Sequence, residues 1–319
     1  MSGKPFPRVW RLALIPSLMA LLLLLLASTV TSSAQASGSD VSSKTVTQSS
    51  ESAANYWTAE RMRTAQPKQV VVRDSLTQPQ AQKKPKPQPL AATPVPTSSY
   101  STFPYATIGK VFFTDSRTNT NYVCSGTAVQ SSNGSVVDTA GHCVAEEGSG
   151  NNYYTNWIFC PQYLDGSCPK GKWTARRLFA HSRWLNNADF AYDLGEAVMN
   201  TLNGRTLVAT VGGVQYGANL SRSQTWHALG YPAAAPFNGN RMYECVSTKV
   251  ADDSGSPQPI GISCNMTGGC SGGGWLIQVN GTWYVNGHND YGYSNRPGVL
   301  FSPYYGSAAQ SLFNTAQAA

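Results

Sequence analysis

The sequence predicts an all-β fold for residues 103–319, built mainly from antiparallel strands. Short apolar segments separated by turns of Gly, Asn and Ser occur at residues 109–113, 208–211 and 275–279. Asn280 and Gly281 lie between two strand-like segments, which is a strong signal for a two-residue hairpin. Only the tail, residues 307–316, has helical spacing, so we expect one short C-terminal helix.

The N-terminus has the three-part layout of a secretory signal peptide. Three basic residues precede an apolar run at residues 12–27, and a small-x-small cleavage site follows at residues 34–36. The apolar run is marginal for a membrane span, which needs about 17–25 residues. We therefore expect residues 1–36 to be removed on export. The mature protein is then extracellular, with no stable membrane association.

Residues 37–102 differ in composition from the rest of the chain. They are rich in Ser, Gln, Pro, Ala and Lys, and proline recurs through residues 80–96 too often for a helix or a central strand. Residues 56–65 are compatible with a short helix. Such a segment is either a pro-segment or a disordered linker, and the globular part begins at about residue 103.

The charge distribution argues against a nucleic-acid partner. Residues 1–102 carry eleven Lys/Arg and four Asp/Glu, whereas residues 103–319 carry twelve of each, so the net charge of +7 belongs to the N-terminal third. The globular part therefore has no basic excess. We expect no metal or cofactor either, because the HExxH, CxxC and phosphate-loop motifs are absent from the sequence.

Four segments carry the candidate chemistry. In chain order they are CSGTAV at 124–129, TAGHC at 139–143, DFAYDLG at 189–195 and TGGCSGG at 267–273. The TAGHC motif followed far downstream by GGCSGG resembles the chymotrypsin-like serine peptidases, and its departures bring it closest to bacterial trypsin-like and glutamyl-endopeptidase-like members. The resemblance covers residues 103–319. It implies two antiparallel six-stranded β-barrels with the active site in the cleft between them.

This resemblance assigns a role to each catalytic residue. Ser271 is the nucleophile, and it needs a base because its hydroxyl is a weak nucleophile at neutral pH. His142 is that base, and an aspartate fixes the histidine tautomer and stabilises the imidazolium. The backbone N–H groups of Gly269 and Ser271 form the oxyanion hole.

Two of these assignments have rivals. Ser254 lies in the segment DDSGSP, which also resembles a nucleophile motif, but Asp252 stands where the oxyanion turn usually has glycine. Asp189 and Asp193 both lie near the expected position of the triad aspartate. We favour Asp193, because Asp189 can then remain at the wet end of the strand, whereas the reverse choice buries an unpaired carboxylate.

The same resemblance indicates the substrate pocket, with candidate residues Asn265, His288, Asn289, Asp290, Tyr291 and Gly292. Asn265 stands where trypsin-type enzymes have aspartate, so we do not expect Arg or Lys specificity. His288 is a candidate for binding an acidic substrate side chain, although a one-residue change of register would turn it away. Asp290 would be a second carboxylate near the triad and would raise a pKa there if both were buried.

Seven cysteines follow Val123, and in an exported chain they should be oxidised. We expect the pairs Cys124–Cys143, Cys160–Cys168 and Cys245–Cys264, although sequence alone leaves the connectivity open. Cys270 is then free. It occupies the place where many family members have an aspartate that pairs with a new N-terminus, so a zymogen of this protein needs another means of activation.

The sequence therefore predicts a secreted, monomeric serine endopeptidase that acts on polypeptides. One alternative is a catalytically silent relative that binds peptides or a partner protein. Another is a secreted, disulfide-stapled structural or adhesive module. Reaction with a serine-directed phosphonofluoridate distinguishes them, because only an enzyme is labelled at Ser271.

Overall fold

The computed structural model describes residues 40–68, 70–72 and 90–319. All of them fall within one compact unit, Ser39–Ala319. The predicted signal peptide and most of the proline-rich run lie outside the described residues. None of the helices in the described ranges has the length and apolar character that crossing a membrane requires.

Strands dominate the described chain. In order they are β1 (Val41–Thr45), β2 (Gln66–Pro67), β3 (Val70–Val72), β4 (Thr93–Pro94), β5 (Ile108–Asp115), β6 (Thr120–Val129), β7 (Val136–Ala140), β8 (Thr155–Pro161), β9 (Trp173–His181), β10 (Leu194–Met199), β11 (Gln215–Tyr216), β12 (Thr225–Gly230), β13 (Tyr243–Asp252), β14 (Ile260–Ser263), β15 (Gly274–Val279), β16 (Thr282–His288), β17 (Tyr291–Tyr293) and β18 (Val299–Ser302). The α-helices in these ranges are α1 (Ser50–Tyr56), α2 (Ala59–Thr64), α3 (Ser182–Asn187), α4 (Leu207–Val211) and α5 (Ser307–Gln317). Short 3₁₀ turns occur at Thr97–Ser99, Tyr105–Thr107, Gly141–Cys143 and Phe190–Tyr192.

The first sheet closes into a six-stranded barrel. Antiparallel pairing runs β5–β6–β7–β10–β9–β8, and β8 returns to β5. Bulky side chains from neighbouring strands, including Val111, Phe159 and Leu178, are fully buried in one cluster. Because β7 and β10 are neighbours in the barrel, the residues that follow β7 and precede β10 meet at one end of it.

The second sheet follows the order β11–β16–β15–β12–β13–β14–β18, with β4 beside β13. Asn280 and Gly281 join β15 to β16 with positive φ angles of 49° and 82°. Positive φ at both central residues is the geometry of a type I′ turn, so the predicted hairpin is confirmed. Among the described strands no pairing joins β11 to β18, and β18 ends before Pro303, which has no N–H to extend a ladder. The sequence predicted two closed barrels. The structure instead has one closed barrel and a second sheet that stays open.

The predicted C-terminal helix is present as α5. Ala309, Leu312, Phe313 and Ala316 are its buried residues. Their spacing of three and four places them on one face of the helix. This face packs against β9 and β10, so the end of the chain covers part of the first barrel.

Residues 208–211 were expected to form a strand, and this prediction was wrong. They lie in α4, where Thr206 Oγ1 accepts the N–H of Ala209 at 3.3 Å and caps the helix start. Gly212 ends the helix with φ of 78°. Strand preference of β-branched residues is weak, and here a capped start and a glycine stop outweigh it.

Residues 40–68 pack against the first barrel. β1 pairs antiparallel to β9 and extends the first sheet. Trp57 is fully buried, with its ring 5.3 Å from that of Phe112, and its Nε1 donates to the carbonyl of Asn156 at 2.6 Å. This part of the chain therefore shares the apolar core of the protein.

The helix expected at residues 56–65 is present as α2. Thr58 caps it by accepting the N–H of Arg61 at 3.2 Å. Met62 is the buried residue of this short helix. The functional boundary at residue 103, between a pro-segment or linker and the globular part, stays a prediction.

Candidate active site

A buried histidine–aspartate pair lies at one end of the first barrel. His142 belongs to the 3₁₀ turn after β7, and Asp193 immediately precedes β10. One oxygen of Asp193 lies 2.7 Å from Nδ1 of His142, and the other accepts the backbone N–H of His142 at 2.7 Å. Since an ionised carboxylate only accepts hydrogen bonds, Nδ1 carries a proton whether His142 is charged or neutral, and Nε2 is the nitrogen that can act as a base once it has lost its proton.

A third ionisable group, Asp290, completes this cluster. Its Oδ1 lies 3.3 Å from His142 Nδ1. Burial alone would lower the pKa of His142, but the charge and hydrogen bond of Asp193, and then the hydrogen bond to Asp290, outweigh it and raise that pKa to about 10.

The pKa values of Asp193 and Asp290 are shifted in opposite directions. Burial would raise the pKa of Asp193, but the charge and hydrogen bond of His142 hold that pKa below its usual range. Burial, and then the negative charge of Asp193, hold the pKa of Asp290 well above its usual range. Asp290 is therefore the carboxyl group that keeps its proton while Asp193 is charged.

The two aspartates left open by the sequence occupy different environments. Asp189 is partly exposed, pairs with Arg183 at 2.6 Å and caps the 3₁₀ turn by accepting the N–H of Ala191. Asp193 is the one that faces His142. The geometry thus favours Asp193, because Asp189 already has a complete role at the protein surface.

Ser271 lies on a tight glycine turn against the first barrel. Gly269 and Gly272 have φ angles of 96° and 77°, in the region that favours glycine. A Cβ atom on Gly272 would collide with Thr139 Oγ1 and lie 2.6 Å from the carbonyl oxygen of Ser125. The glycine therefore lets the turn approach the first barrel closely enough to present Ser271 there.

Ser254, the rival nucleophile, lies in an exposed turn after β13. The neighbouring Asp252 pairs with Arg222 and Lys249 on the surface. Within the described ranges Ser254 makes no hydrogen bond to a histidine, so the geometry favours Ser271.

The carbonyl oxygen of Lys68 occupies the space beside Ser271. It accepts the backbone N–H of Gly269, the predicted oxyanion donor, at 3.2 Å. It also lies 3.5 Å from Ser271 Oγ. Over the part of the chain that the structure describes, His142 Nε2 has no hydrogen-bond partner.

A cavity of about 450 Å³ opens beside Ser271. Four of the predicted substrate-binding residues line it together with Ser271, namely Asn265, Asp290, Tyr291 and Gly292. Val70 and Arg296 contribute further walls. The cavity therefore adjoins Ser271 and four of the six residues that the sequence predicted to bind substrate.

His288 and Asn289 were predicted to bind substrate, but both lie outside the lining of this cavity. His288 is fully buried, and its Nδ1 lies 2.8 Å from the hydroxyl of Tyr305. Burial lowers the pKa of His288 to about 4, so it is neutral at physiological pH. A neutral histidine that is turned towards Tyr305 has no charge to offer an acidic substrate.

Asn289 supports the nucleophile turn from behind. Its Nδ2 donates to the carbonyls of Leu229 and Cys270 at 2.7 and 3.1 Å, and its Oδ1 accepts from Trp275 at 2.9 Å. These bonds use both N–H donors of the side-chain amide and one of the two acceptor positions on Oδ1. Asn289 therefore holds the residue before Ser271 in place.

Three disulfides are present, Cys124–Cys143, Cys160–Cys168 and Cys245–Cys264. The first ties β6 to the turn that carries His142. Cys270 is free and buried. Burial raises the pKa of its thiol to about 12, so the thiolate needed for cysteine chemistry is scarce at neutral pH.

Donor atoms of His142, Asp193 and Asp290 lie within 4.8 Å of one another, which is close enough to hold a metal ion. Two features argue for a different use. Nδ1 of His142 is already hydrogen-bonded to Asp193, and Asp290 keeps its proton in this environment. The arrangement suits general-base catalysis, and the absence of a metal cofactor stays a prediction.

Comparison with solved structures decides the family. The protease Anisep from Arthrobacter nicotinovorans is 45% identical, and the match covers 67% of this chain and 96% of that protein, with a TM-score of 0.62. The thermostable serine protease AL20 from an extremophilic microorganism is 40% identical over 70% of this chain and 99% of that protein, with a TM-score of 0.63. The chain belongs to the chymotrypsin-fold serine proteases. It is therefore a hydrolase that acts on polypeptides.

More distant comparisons add the fold alone. A Glu endopeptidase solved in complex with MPD is 21% identical over 72% of this protease and 97% of that chain, with a TM-score of 0.58. No family model matches this protease. No curated protein sequence matches it either.

Sequence reasoning missed several residues at the site of this protease. Lys68 and Val70 belong to the segment assigned to the pro-segment or linker, and Arg296 lies on a loop after β17. Residues 70–72 are three consecutive valines within a polar region. Because β-branched residues favour strands, that triplet was a usable signal for a strand in this segment.

Proposed function

We propose that this protease is a secreted endopeptidase in which Ser271, His142 and Asp193 form the catalytic triad. The observation that carries the proposal is the fully buried His142–Asp193 pair, bonded at 2.7 Å, beside the glycine turn of Ser271. The second sheet takes the part of the second barrel in this fold, and it brings the nucleophile to the first barrel.

The proposed reaction follows from these positions. Ser271 Oγ attacks the substrate carbonyl carbon while Nε2 of His142 takes its proton, and Asp193 stabilises the imidazolium. The N–H groups of Gly269 and Ser271 bind the oxyanion. His142 then protonates the leaving amine, and a water molecule hydrolyses the acyl-enzyme by the same steps in reverse order. In the structure Ser271 Oγ is engaged near the Lys68 carbonyl, so the reaction requires Oγ to turn to Nε2.

Export is part of the proposal. Residues 1–36 act as a signal peptide, residues 37–102 as a pro-segment, and the mature protease is an extracellular monomer. Three disulfides in one chain support an oxidising compartment, because such bonds are rare in reducing ones. The packing of residues 40–68 against the first barrel favours a pro-segment over a plain linker.

An acidic residue before the cleaved bond remains the proposed preference, with Arg296 as its support in place of His288. Arg296 lines the cavity beside Ser271, and its guanidinium lies 5.6 Å from the ring centre of Tyr293. We expect Arg296→Ala to lower kcat/KM about tenfold for glutamate at that position, the lower end of the effect of losing a hydrogen bond to a charged group. A phenylalanine substrate should change little.

The control for this substitution is Arg205→Ala, which removes an exposed arginine that does not line the cavity. Kinetics with matched glutamate and phenylalanine peptides measure the effect. Equal losses for both peptides with Arg296→Ala would show that Arg296 does not select an acidic side chain.

The endopeptidase function itself is tested with a mixture of unrelated peptides blocked at both ends. Mass spectrometry should show internal cuts by the processed protease and none by Ser271→Ala. Intact peptides with a folded, processed protein would contradict the proposal and favour a catalytically silent binder.

A further inference from the structure

A short stretch of the N-terminal region crosses the active site from the first sheet to the second. We call residues 66–68 and 70–72 the crossing segment. β2 pairs in parallel with β6 at Tyr122 and Val123, and the N–H of Lys68 donates to the Val123 carbonyl at 3.0 Å. β3 then pairs in parallel with β17. The crossing segment is thus held by backbone hydrogen bonds on both sides of Ser271.

Between these two strands, the crossing segment fills the position of a substrate carbonyl. The Lys68 carbonyl oxygen is 3.2 Å from the N–H of Gly269 and 3.5 Å from Ser271 Oγ. Val70 lines the cavity beside Ser271. A peptide substrate needs the same N–H group and the same cavity, so it cannot bind while the crossing segment is in place.

The direction of the crossing segment makes it unsuitable for cleavage. His142 belongs to the first barrel, so the amine that it protonates must leave on that side of Ser271. The residues before Lys68, Gln66 and Pro67, which would form the acyl part of a substrate, lie at the first sheet. The chain after Lys68, which would form the leaving amine part, leads to Val70 at the second sheet. The chain on the amine side of this carbonyl therefore continues towards the second sheet, not towards the side on which His142 acts.

The side chain of Lys68 fixes the crossing segment in the cleft. Its Nζ lies 3.3 Å from Glu146 Oε2, and both groups are largely buried. The same ammonium lies 5.1 Å and 5.5 Å from the ring centres of Tyr122 and Tyr154. An ion pair and two cation–π contacts at one side chain specify where the Lys68 carbonyl sits.

We infer that the crossing segment is a built-in inhibitor of this protease, bound in the reverse direction, which closes the oxyanion hole with the Lys68 carbonyl. The inference rests on the proposed function and describes the regulation of that site. Such an inhibitor would keep the uncleaved chain inactive even though Cys270 stands where many family members have the aspartate that pairs with a new N-terminus. The bond after Lys68 stays intact in the latent chain because the chain that follows it leads to the second sheet, away from His142.

The test compares phosphonofluoridate labelling rates of Ser271 in the full exported chain and in its Lys68→Glu variant. Lys68→Glu sets two carboxylates against each other at residues 68 and 146, so the crossing segment should dissociate and labelling should be at least about tenfold faster than in the wild type. Arg63→Glu is the matched control, because Arg63 is exposed on α2 and the charge change is identical. It should label at the wild-type rate.

A second substitution tests the pairing directly. Adding Glu146→Gln to Lys68→Glu removes the like-charge pair and keeps an acceptor for the Tyr154 hydroxyl, so labelling should slow again towards the wild-type rate. Circular dichroism and the melting temperature show whether each variant is folded, and mass spectrometry shows whether the chain is uncut. If Lys68→Glu labels slowly only because it is misfolded, Val70→Asp provides an independent way to displace the crossing segment from the cavity.

The outcomes separate the two proposals. Equal, rapid labelling of the folded wild-type, Lys68→Glu and Val70→Asp chains overturns the inhibitory role and leaves the endopeptidase function standing. A wild-type chain cut after Lys68 also overturns the reverse-direction assignment. Failure of every folded form to label at Ser271 overturns the endopeptidase function and this inference with it.

Discussion

Replacing Trp57 with alanine should strongly destabilise the protein, although Trp57 lies far outside the peptidase motifs. Its side chain is fully buried and its ring lies 5.3 Å from Phe112 of the first barrel. Removing a buried tryptophan costs about 3–5 kcal/mol, because the protein loses the transfer free energy of the side chain and is left with a cavity. The lost hydrogen bond to the Asn156 carbonyl adds to this cost. The free energy of unfolding should therefore fall by about 3–5 kcal/mol.

Urea-induced unfolding of the exported chain, monitored by circular dichroism, measures this change. At about 2–4 °C per kcal/mol for a domain of this size, the melting temperature should fall by about 6–20 °C. Phe103→Ala is the control, because Phe103 is 53% exposed and its removal should cost less than about 0.5 kcal/mol. A loss below about 1 kcal/mol for Trp57→Ala would refute the idea that residues 40–68 share the protein core.

The remaining predictions concern the active site of the processed protease. Asp193→Asn should lower kcat about 10⁴-fold by favouring the wrong histidine tautomer, whereas Asp189→Asn should stay near the wild type; steady-state kinetics decide, and equal losses would undo the assignment. His142 must be neutral to act as base, so kcat/KM should rise with pH through the pKa of His142, which the Asp193 carboxylate raises above its usual value. Asp290→Ala removes an acceptor oxygen that lies 3.3 Å from His142 Nδ1 and supports this raised pKa, so the rising limb should move to lower pH; an unchanged profile would contradict that role. Cys270, whose thiol has a pKa of about 12, should resist iodoacetamide in the folded protein at pH 8, and rapid alkylation with loss of activity would contradict its burial.

Much of the fold and site followed from local chemistry in the sequence. The Asn280–Gly281 turn was predictable because two positive φ angles demand such residues. The motif around Ser271 was predictable because it resembles the nucleophile segment of the chymotrypsin-like serine peptidases. Such features depend on a few neighbouring residues, so the sequence displays them directly.

Other features depend on distant partners, and the sequence could not decide them. Residues 208–211 have strand-forming side chains, but the cap at Thr206 makes them helical. His288 has a suitable position in the sequence, yet its hydrogen bond to Tyr305, 17 residues later, turns it away from the cavity. The geometric preference for Asp193 over Asp189 became visible only with the pairing of β7 with β10.

The sequence-based prediction differed most from the structure in the N-terminal region. Its polar, proline-rich composition concealed the apolar anchor Trp57 and the strand at residues 70–72. The role of Lys68 lies mainly in its backbone carbonyl, which every residue possesses. No composition or motif marks such a contact, so only the fold reveals it.

Labelling of the processed protease with a phosphonofluoridate, followed by peptide mapping, tests the central claim most directly. One label per molecule on the peptide that contains Ser271, lost in Ser271→Ala and retained in Ser254→Ala, is the predicted result. Label on the peptide that contains Ser254, or none on folded and processed protein, would contradict Ser271 as the nucleophile.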